Sequence, residues 1–313
     1  MSEPVSYLIT GSHLFQRAYS VSIQGSGQTS AVWGNESSTQ SAIKVTFEVE
    51  RAVTGGNKAK IVLYNLTGNS RQNITVGTPV KLRAGYVGLV GNLFLGIVHK
   101  VSSERNGPDI ITSLELQDGE PYANMSVLDK AYGKNTHLTT ILADVARAMT
   151  VDLNNQILSV KRGVALGIPD HVYAQGFVAH GPCREILDTL CRPRGLDWSV
   201  QNGALNVIPK THYDGRSVQI LSPKTGLIGI PSNNGKFFAF SALLNPKLVP
   251  GCLVKLETAN ESLVGTYKIR KVRYQGDTHD QAWQVDIEAI PYTGTLNPLP
   301  VAVGQTYTGA VTP

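Results

Sequence analysis

The residues best suited to chemistry lie together in the stretch "GDTHDQ", residues 276 to 281. Asp277, His279 and Asp280 are of types that bind metal ions or act as general acid and base. The stretch falls between two predicted strands, however, and Asp and Gly are also the residues that turns use most. No second group of ligands accompanies it at a recognised metal-site spacing. We therefore interpret these residues as a turn, and we predict no metal site and no cofactor.

No other motif in the sequence indicates catalysis. The glycine-rich stretches "VTGGNK" and "GYVGLVGN" lack the Gly-Lys-Ser/Thr ending of a P-loop and are interpreted as hairpin loops. Cys183 and Cys191 are eight residues apart, which places both on one buried helical face without a base partner. Three histidines are too far apart in sequence to form a local ligand site: His137, His171 and His180. We predict that the protein is not an enzyme, although a site assembled from distant residues stays open.

The composition is that of an ordinary folded protein. The 313 residues are 42% hydrophobic and 16% charged, and they contain no apolar run long enough for a membrane helix. This length predicts two or three domains. The net charge of +5 is scattered along the chain, which is weak evidence for nucleic-acid binding. Three cysteines and no basic, apolar leader predict free thiols, cytoplasmic assembly and no stable membrane insertion.

The region from residue 12 to 125 is predicted to be an antiparallel sandwich or barrel. "IKVTFEVER", residues 43 to 51, alternates apolar and polar residues as a half-buried strand does, and a Gly-Gly-Asn turn leads it into "KIVLYNL". Further strands follow at short spacing: residues 79 to 86, 93 to 101 and 109 to 118. In the second strand Val62 and Tyr64 make the outer face apolar as well. A second sheet, a helix or another subunit should cover that face.

The region from residue 126 to 215 is predicted to be a small α/β insert. One apolar stripe at helical spacing comprises Leu138, Ile141, Leu142, Val145, Ala146 and Met149. A second comprises Cys183, Ile186, Leu187, Leu190 and Cys191, with Pro182 at the first helical position. A hairpin follows, from Trp198 through the Asn202-Gly203 turn to Val207.

The region from residue 216 to 292 resumes the strand pattern and repeats part of the first. "GTPVKLRAGYVGLVG", residues 77 to 91, and "GCLVKLETANESLVG", residues 251 to 265, share Gly, Val-Lys-Leu and a second Gly at the same spacing. This alignment places Leu93 opposite Tyr267, Leu95 opposite Ile269 and Val98 opposite Val272. We predict two related domains, residues 12 to 125 and 216 to 292, with an N-terminal arm at 1 to 11 and an uncharged tail at 293 to 313.

The succession of these stretches resembles the baseplate hub proteins of contractile-tailed bacteriophages. The resemblance covers about residues 12 to 292 and is carried by the "YNL" strand end, the "LLNP … PG" turn and the "YQGDTHDQAW" step into the last strand. Members of that family are also similar to the hub portion of type VI secretion spike proteins. None of these motifs is chemical, so the resemblance implies a structural role.

The resemblance implies a mainly β chain with two tail-tube-like antiparallel β-barrels and the α/β insert. Three chains would then form a homotrimer, a pseudo-sixfold ring that joins the sixfold tail tube to the threefold spike around a channel. The implied partners are a trimeric tail spike, tail tube or tube-initiator proteins, baseplate wedge proteins and genomic DNA passing through. The implied location is the tail baseplate of the virion.

Two sets of contact residues follow as expectations. Residues expected at subunit contacts are Val62, Tyr64, Tyr86 and Phe94. Residues expected to contact the spike from the tail are Thr293, Leu296, Leu299 and Val301. Two other functions stay open: a peptidoglycan-cleaving enzyme of the tail tip, which would need two carboxylates roughly 5–9.5 Å apart, and a carbohydrate-binding β-sandwich, which would show exposed aromatic platforms.

Overall fold

The computed structural model describes residues 16–24, 30–37, 40–54, 56–118, 120–151, 171–201, 204–211, 213 and 218–292. The arm at 1–11 and the tail at 293–313, with its four expected spike-contact residues, lie outside the described residues.

The early region folds into seven strands and a short helix. They are β1 (Arg17–Gln24), β2 (Ser30–Gly34), β3 (Val45–Ala52), β4 (Asn57–Tyr64), α1 (Gly68–Gln72), β5 (Pro79–Tyr86), β6 (Leu89–Asn106) and β7 (Asp109–Asp118). The predicted β3–β4 hairpin is confirmed, with Val49 opposite Ala59. Loops of only two residues join β5 to β6 and β6 to β7, so β6 is longer than the sequence pattern predicted.

The insert has its own hydrophobic core. Its elements are α2 (Glu120–Met125), β8 (Val127–Tyr132), β9 (Thr136–His137), α3 (Leu138–Val151), β10 (Val172–Tyr173), β11 (Phe177–Pro182), α4 (Cys183–Cys191), β12 (Leu196–Gln201) and β13 (Ala204–Pro209). Both predicted helical stripes are buried and pack against each other and against the β12–β13 hairpin. Pro182 precedes α4 as its cap instead of occupying the first helical position.

The late region adds six strands. They are β14 (Gln219–Leu221), β15 (Leu227–Asn233), β16 (Phe238–Leu243), β17 (Leu253–Leu256), β18 (Gly265–Asp277) and β19 (Trp283–Pro291).

Strands of the early and late regions join in one 13-stranded sheet over one hydrophobic core. The order is β15-β16-β19-β18-β3-β4-β7-β6-β5-β1-β2, with β17 and β14 branching from β18. The described residues contain no closed barrel, which differs from the expected pair of barrels. The early region comes nearest to closure through a single parallel bridge between Trp33 and Ser41, just before β3. The protein is mainly β, as predicted.

The same strand order occurs twice in this sheet. The early copy, β1 to β7, runs β3-β4-β7-β6-β5-β1, and the late copy, β14 to β19, runs β15-β16-β19-β18-β17-β14. One pairing differs, because β1 is antiparallel to β5 whereas β14 is parallel to β17.

The two copies also share backbone details. Gly77 and Gly251 precede β5 and β17 with φ of 88° and 91°, a conformation that favours glycine. The Gly77 N–H donates to Val98 O at 2.8 Å, and the Gly251 N–H donates to Ile269 O at 2.9 Å. Immediately after Val98 the pairing of β6 with β7 shifts register, before Lys100. Immediately after Ile269 the pairing of β18 with β19 shifts in the same way, before Lys271. Val98 therefore corresponds to Ile269.

This correspondence corrects the predicted alignment of the two copies by three residues. The sequence placed Val98 opposite Val272 and Leu95 opposite Ile269. In the structure Gly91 pairs with Ala84 within β6, whereas Gly265 begins β18 opposite Leu256, so these two glycines are not equivalent. The early hairpin is longer and carries an additional bulge near Leu93, which a period-two pattern cannot reveal.

Candidate subunit interface and channel wall

The face of the large sheet that points away from the core is covered with charged side chains. Register pairs place Glu48 opposite Lys60, Lys60 opposite Glu115, and Arg273 opposite Asp286. Charged residues on this charged face include Lys58, Lys60, Lys81, Lys100, Lys255, Lys271, Arg273, Glu48, Glu50, Glu104, Glu115, Asp286 and Glu288. The face is therefore polar, carries side chains of both charges and is continuous across both copies.

The two copies meet along one strand seam. β3 pairs antiparallel with the second half of β18, placing Val49 opposite Tyr274 and Phe47 opposite Gly276. The Phe47 ring fills the space that a side chain at 276 would need, because a Cβ there would lie 2.2 Å from the ring. Phe47 also packs edge-on against Trp283, whose indole N–H donates to Gly85 O at 3.1 Å. The seam is thus closely packed on its core side.

Ion pairs cross the same seam on the charged face. Lys271 lies 2.9 Å from Glu50, and Arg273 lies 2.8 Å from Glu48. The hydrogen bond from Arg273 to Glu48 raises the pKa of the guanidinium. The alternation of Glu48 and Glu50 was visible in the sequence, but their partners lie more than 200 residues away and no local signal indicated them.

The four expected subunit-contact residues divide into two pairs. Val62 and Tyr64 lie half-buried on the charged face, at the end of β4, where Lys44 stacks 4.9 Å from the Tyr64 ring centre. Tyr86 is 3% exposed and Phe94 is 0% exposed, and both belong to the core of their own chain. Only Val62 and Tyr64 are therefore placed where another chain could reach them.

The "GDTHDQ" stretch forms the end of β18 and the turn that leads to β19, in agreement with its interpretation as a turn. The Asp277 carboxylate accepts hydrogen bonds from the backbone N–H groups of His279 at 2.8 Å and Asp280 at 3.1 Å. Arg17 donates to backbone carbonyls of this turn, including that of Gln281 at 3.0 Å. The carboxylate thus shapes the loop, and no group of three metal-ligating side chains occurs among the residues described.

A cleft of about 550 Å³ lies where the insert meets the two copies, lined mainly by insert residues together with Thr54 and Arg270. Two acids line it, and each is held by an arginine: Asp188 lies 2.9 Å from Arg192, and Asp197 lies 3.3 Å from Arg270. The Trp198 indole also donates to Asp188 at 2.8 Å. Both carboxylates are thus engaged in contacts within the chain.

Elsewhere in the insert, ionisable groups stabilise the fold. The Asp144 carboxylate accepts a hydrogen bond from Lys130 at 2.6 Å, which holds its pKa below the usual value. Burial raises the pKa of the Cys191 thiol to about 12, so this cysteine is unreactive. Cys183 and Cys252 are also buried. His180 lies 3.3 Å from Asp129 on the surface.

The insert is attached to both copies of the repeat. From the early copy, Arg51 donates to Gln201 Oε1 at 2.9 Å and Asn57 donates to Val200 O at 2.8 Å. From the late copy, Lys268 Nζ donates to Pro209 O at 3.2 Å and to Lys210 O at 3.1 Å. Arg51 and Lys268 are 3% and 1% exposed. Buried cations that bond across an interface fix its geometry, so the insert has a defined position on the sheet.

The sequence profile of the baseplate hub gp41 family matches residues 28–289. The chain belongs to the baseplate hub gp41 family. The family implies a structural protein of the virion tail, in agreement with the resemblance seen in the sequence. A search of curated proteins found no match. The structure contains no helix, within its described part, that is long and apolar enough to cross a membrane.

Solved structures share the hub protein's fold. A tail protein from Neisseria meningitidis MC58 is 10% identical with a TM-score of 0.60, over 87% of this chain and 96% of that one. The 43 kDa tail protein of prophage MuSo2 from Shewanella oneidensis is 11% identical with a TM-score of 0.57, over 87% and 98%. A type VI secretion component of E. coli, itself similar to T4 tail proteins gp27 and gp5, is 12% identical with a TM-score of 0.56, over 80% and 74%.

Proposed function

We propose that this protein is the hub of a contractile phage tail, a homotrimer that joins the sixfold tail tube to a threefold spike around a central channel. The observation that carries the proposal is the repeated strand order, with the same glycine conformation and the same register shift in each copy. Two similar units in one chain give three chains six similar units. A trimer can then offer approximate sixfold symmetry on one side and threefold symmetry on the other.

The charged face is proposed as the wall of the channel. Cations and anions are interspersed on this face, and ion pairs such as Arg273–Glu48 engage several of them. A strongly basic wall would bind the phosphate backbone, since each neutralised phosphate adds to affinity. A wall that carries both charges would let DNA pass without holding it. Val62 and Tyr64, half-buried on this face at the end of β4, are proposed to contact another subunit.

The proposed partners follow from this arrangement. They are the tail tube or a tube-initiator protein on one side, a trimeric spike on the other, and wedge proteins around the ring. The uncharged tail that begins at Thr293 is proposed to contact the spike. The protein would assemble in the host cytoplasm and act without catalysis.

Native mass measurement and negative-stain imaging of the purified protein test the proposal. We expect a particle of three 33.7 kDa chains with a hollow, six-lobed outline. Addition of the spike should yield one spike trimer per ring, and a variant that ends at residue 292 should lose it. A compact monomer at all concentrations would contradict the proposal. Clearing of cell-wall substrate by the pure protein would instead favour the alternative function, a peptidoglycan-cleaving enzyme of the tail tip.

A further inference from the structure

The cleft where the insert meets the two copies carries more positive than negative charge. Its volume of about 550 Å³ lies within the range of about 300–1,000 Å³ that is typical of ligand sites. Among the residues described, its lining includes two acids, Asp188 and Asp197. The lining also includes four basic residues: Arg184, Arg192, Lys210 and Arg270. The cleft therefore favours a negatively charged ligand.

The basic residues reach the cleft from three different elements. Arg184 and Arg192 lie four residues before and after Asp188, which places all three on one face of α4 and its C-cap. Lys210 directly follows β13, and Arg270 belongs to β18 of the late copy. The positive charge is thus gathered around a concave site instead of extending as a stripe along one strand or helix.

Two of these basic residues are held close together by the backbone. The Gly195 N–H donates to Arg192 O at 3.2 Å, and the Lys210 N–H donates to Gly195 O at 2.9 Å. The Arg192 side chain is 75% exposed even though it lies 2.9 Å from Asp188. Lys210 is exposed as well, and its ammonium group forms no ion pair within the described part of the chain. An incoming carboxylate can therefore bind both without displacing a contact of the chain.

Trp198 supplies an aromatic surface beside these cations. Its ring is partly buried against the core of the insert, and its indole N–H donates to Asp188. Trp and Arg are among the residue types found most often at the centres of protein–protein contacts. Duplex DNA is instead bound by broad basic surfaces, because protein–DNA contacts usually cover about 1,000 Å² or more. A cleft of this size and composition therefore favours a short protein segment over nucleic acid.

We propose that this cleft binds an acidic segment of a partner protein, in which carboxylates flank an apolar side chain. The carboxylates pair with Arg192 and Lys210, and the apolar side chain packs on the Trp198 ring. All the residues that form the site belong to one chain. The proposal goes beyond the hub function and does not depend on the proposed trimer.

Titration of an acidic peptide, monitored by NMR, tests the proposal. The probe is a capped Gly-Glu-Leu-Glu-Gly peptide, and the signal is the Trp198 indole N–H resonance of the isotopically labelled full chain. Trp198→Phe identifies this resonance among those of the three tryptophans. We expect a saturable shift with a Kd below about 1 mM. A peptide with glutamine in place of both glutamates should bind about tenfold more weakly, since it lacks the charges.

Lys210→Gln provides a second arm that removes one cation from the cleft. The position is exposed and its backbone hydrogen bonds do not involve the side chain, so the chain should remain folded. The Kd for the acidic peptide should rise about three- to tenfold. Lys236→Gln is the matched control, because Lys236 is an exposed lysine in the turn between β15 and β16 and does not line the cleft. It should leave the Kd unchanged.

Three results would overturn the proposed site. They are the absence of a shift up to about 10 mM peptide, equal binding of the neutral peptide, and an unchanged Kd in the Lys210→Gln variant. A DNA duplex of about 20 base pairs serves as the competing ligand. If it moved the Trp198 resonance at lower concentration than the peptide, the cleft would be a phosphate site and the proposal would be wrong. The hub function is tested separately by native mass, so it stands or falls independently of these results.

Discussion

The early and late copies have the same strand order but different edges. The second half of β18 in the late copy is covered by β3, whereas the equivalent part of β6 in the early copy is open. Within one chain, therefore, one of the two equivalent strand edges is paired with a strand of the other copy. The other edge stays available to a partner, which is the property that an assembling ring requires.

The copies also differ in how they hold the insert. The position of Lys268 in the late copy is that of Ile97 in the early copy, since Ile97 precedes Val98 as Lys268 precedes Ile269. Lys268 bonds to the carbonyls of Pro209, the last residue of β13, and Lys210, whereas Ile97 is a partly buried apolar residue. The early copy uses Arg51 and Asn57 instead. Each copy has therefore acquired its own attachment to the insert.

The largest expected effect comes from Gly276→Val at the internal seam. A Cβ at 276 would lie 2.2 Å from the Phe47 ring, and Phe47 cannot move away because it is buried against Trp283. We expect a loss of about 3 kcal/mol in the free energy of unfolding, at the upper end of the cost of overpacking. Denaturant titration at fixed protein concentration measures it.

Gly68→Ala is the matched control, because a Cβ at 68 meets no atom within 4 Å. It should change stability by less than about 0.5 kcal/mol. Phe47→Leu, combined with Gly276→Val, should recover part of the lost free energy of unfolding, since it removes the ring atoms that clash with the new side chain. Equal stability of the Gly276→Val variant and the parent would show that the seam is not packed as described.

Lys268→Ile gives the late copy the residue that the early copy has at the equivalent position, Ile97, and so removes its attachment to the insert. The change leaves the carbonyls of Pro209 and Lys210 without the donor that Lys268 supplies. Buried acceptors that lose their partner cost about 1–3 kcal/mol, so we expect a loss in that range together with faster proteolysis near residue 210. Limited proteolysis followed by mass spectrometry locates the cleavage.

Ile97→Val, at the equivalent early position, provides the comparison. It removes one methylene and should cost about 0.5–1.5 kcal/mol without new cleavage near residue 210. If Lys268→Ile were instead as stable as the parent, the buried lysine would not be what attaches the late copy to the insert.

The strands, the helical stripes and the hub family were predictable from local signals. The alternation in β3 and the stripe from Leu138 to Met149 depend on neighbours in sequence, and both are confirmed. The seam was not predictable, because Val49 and Tyr274 meet only after more than 200 residues of chain have folded. The sequence likewise predicts subunit contacts for Tyr86 and Phe94, because it does not show that distant parts of the same chain bury them. Apolar character predicts burial but not whether the covering surface belongs to the same chain.

The smallest expected effect comes from the charges that cross the seam. In the double variant Glu48→Gln with Glu50→Gln, the ion pairs with Arg273 and Lys271 are lost. These side chains are roughly half exposed, so we expect a loss of less than about 1 kcal/mol that disappears in about 1 M salt. Glu115→Gln, whose partner Lys100 lies 3.7 Å away within the early copy, is the control for charge removal on the same face. A larger loss that persisted in high salt would mean that charges, and not the packing of Phe47 against Gly276, hold the two copies together.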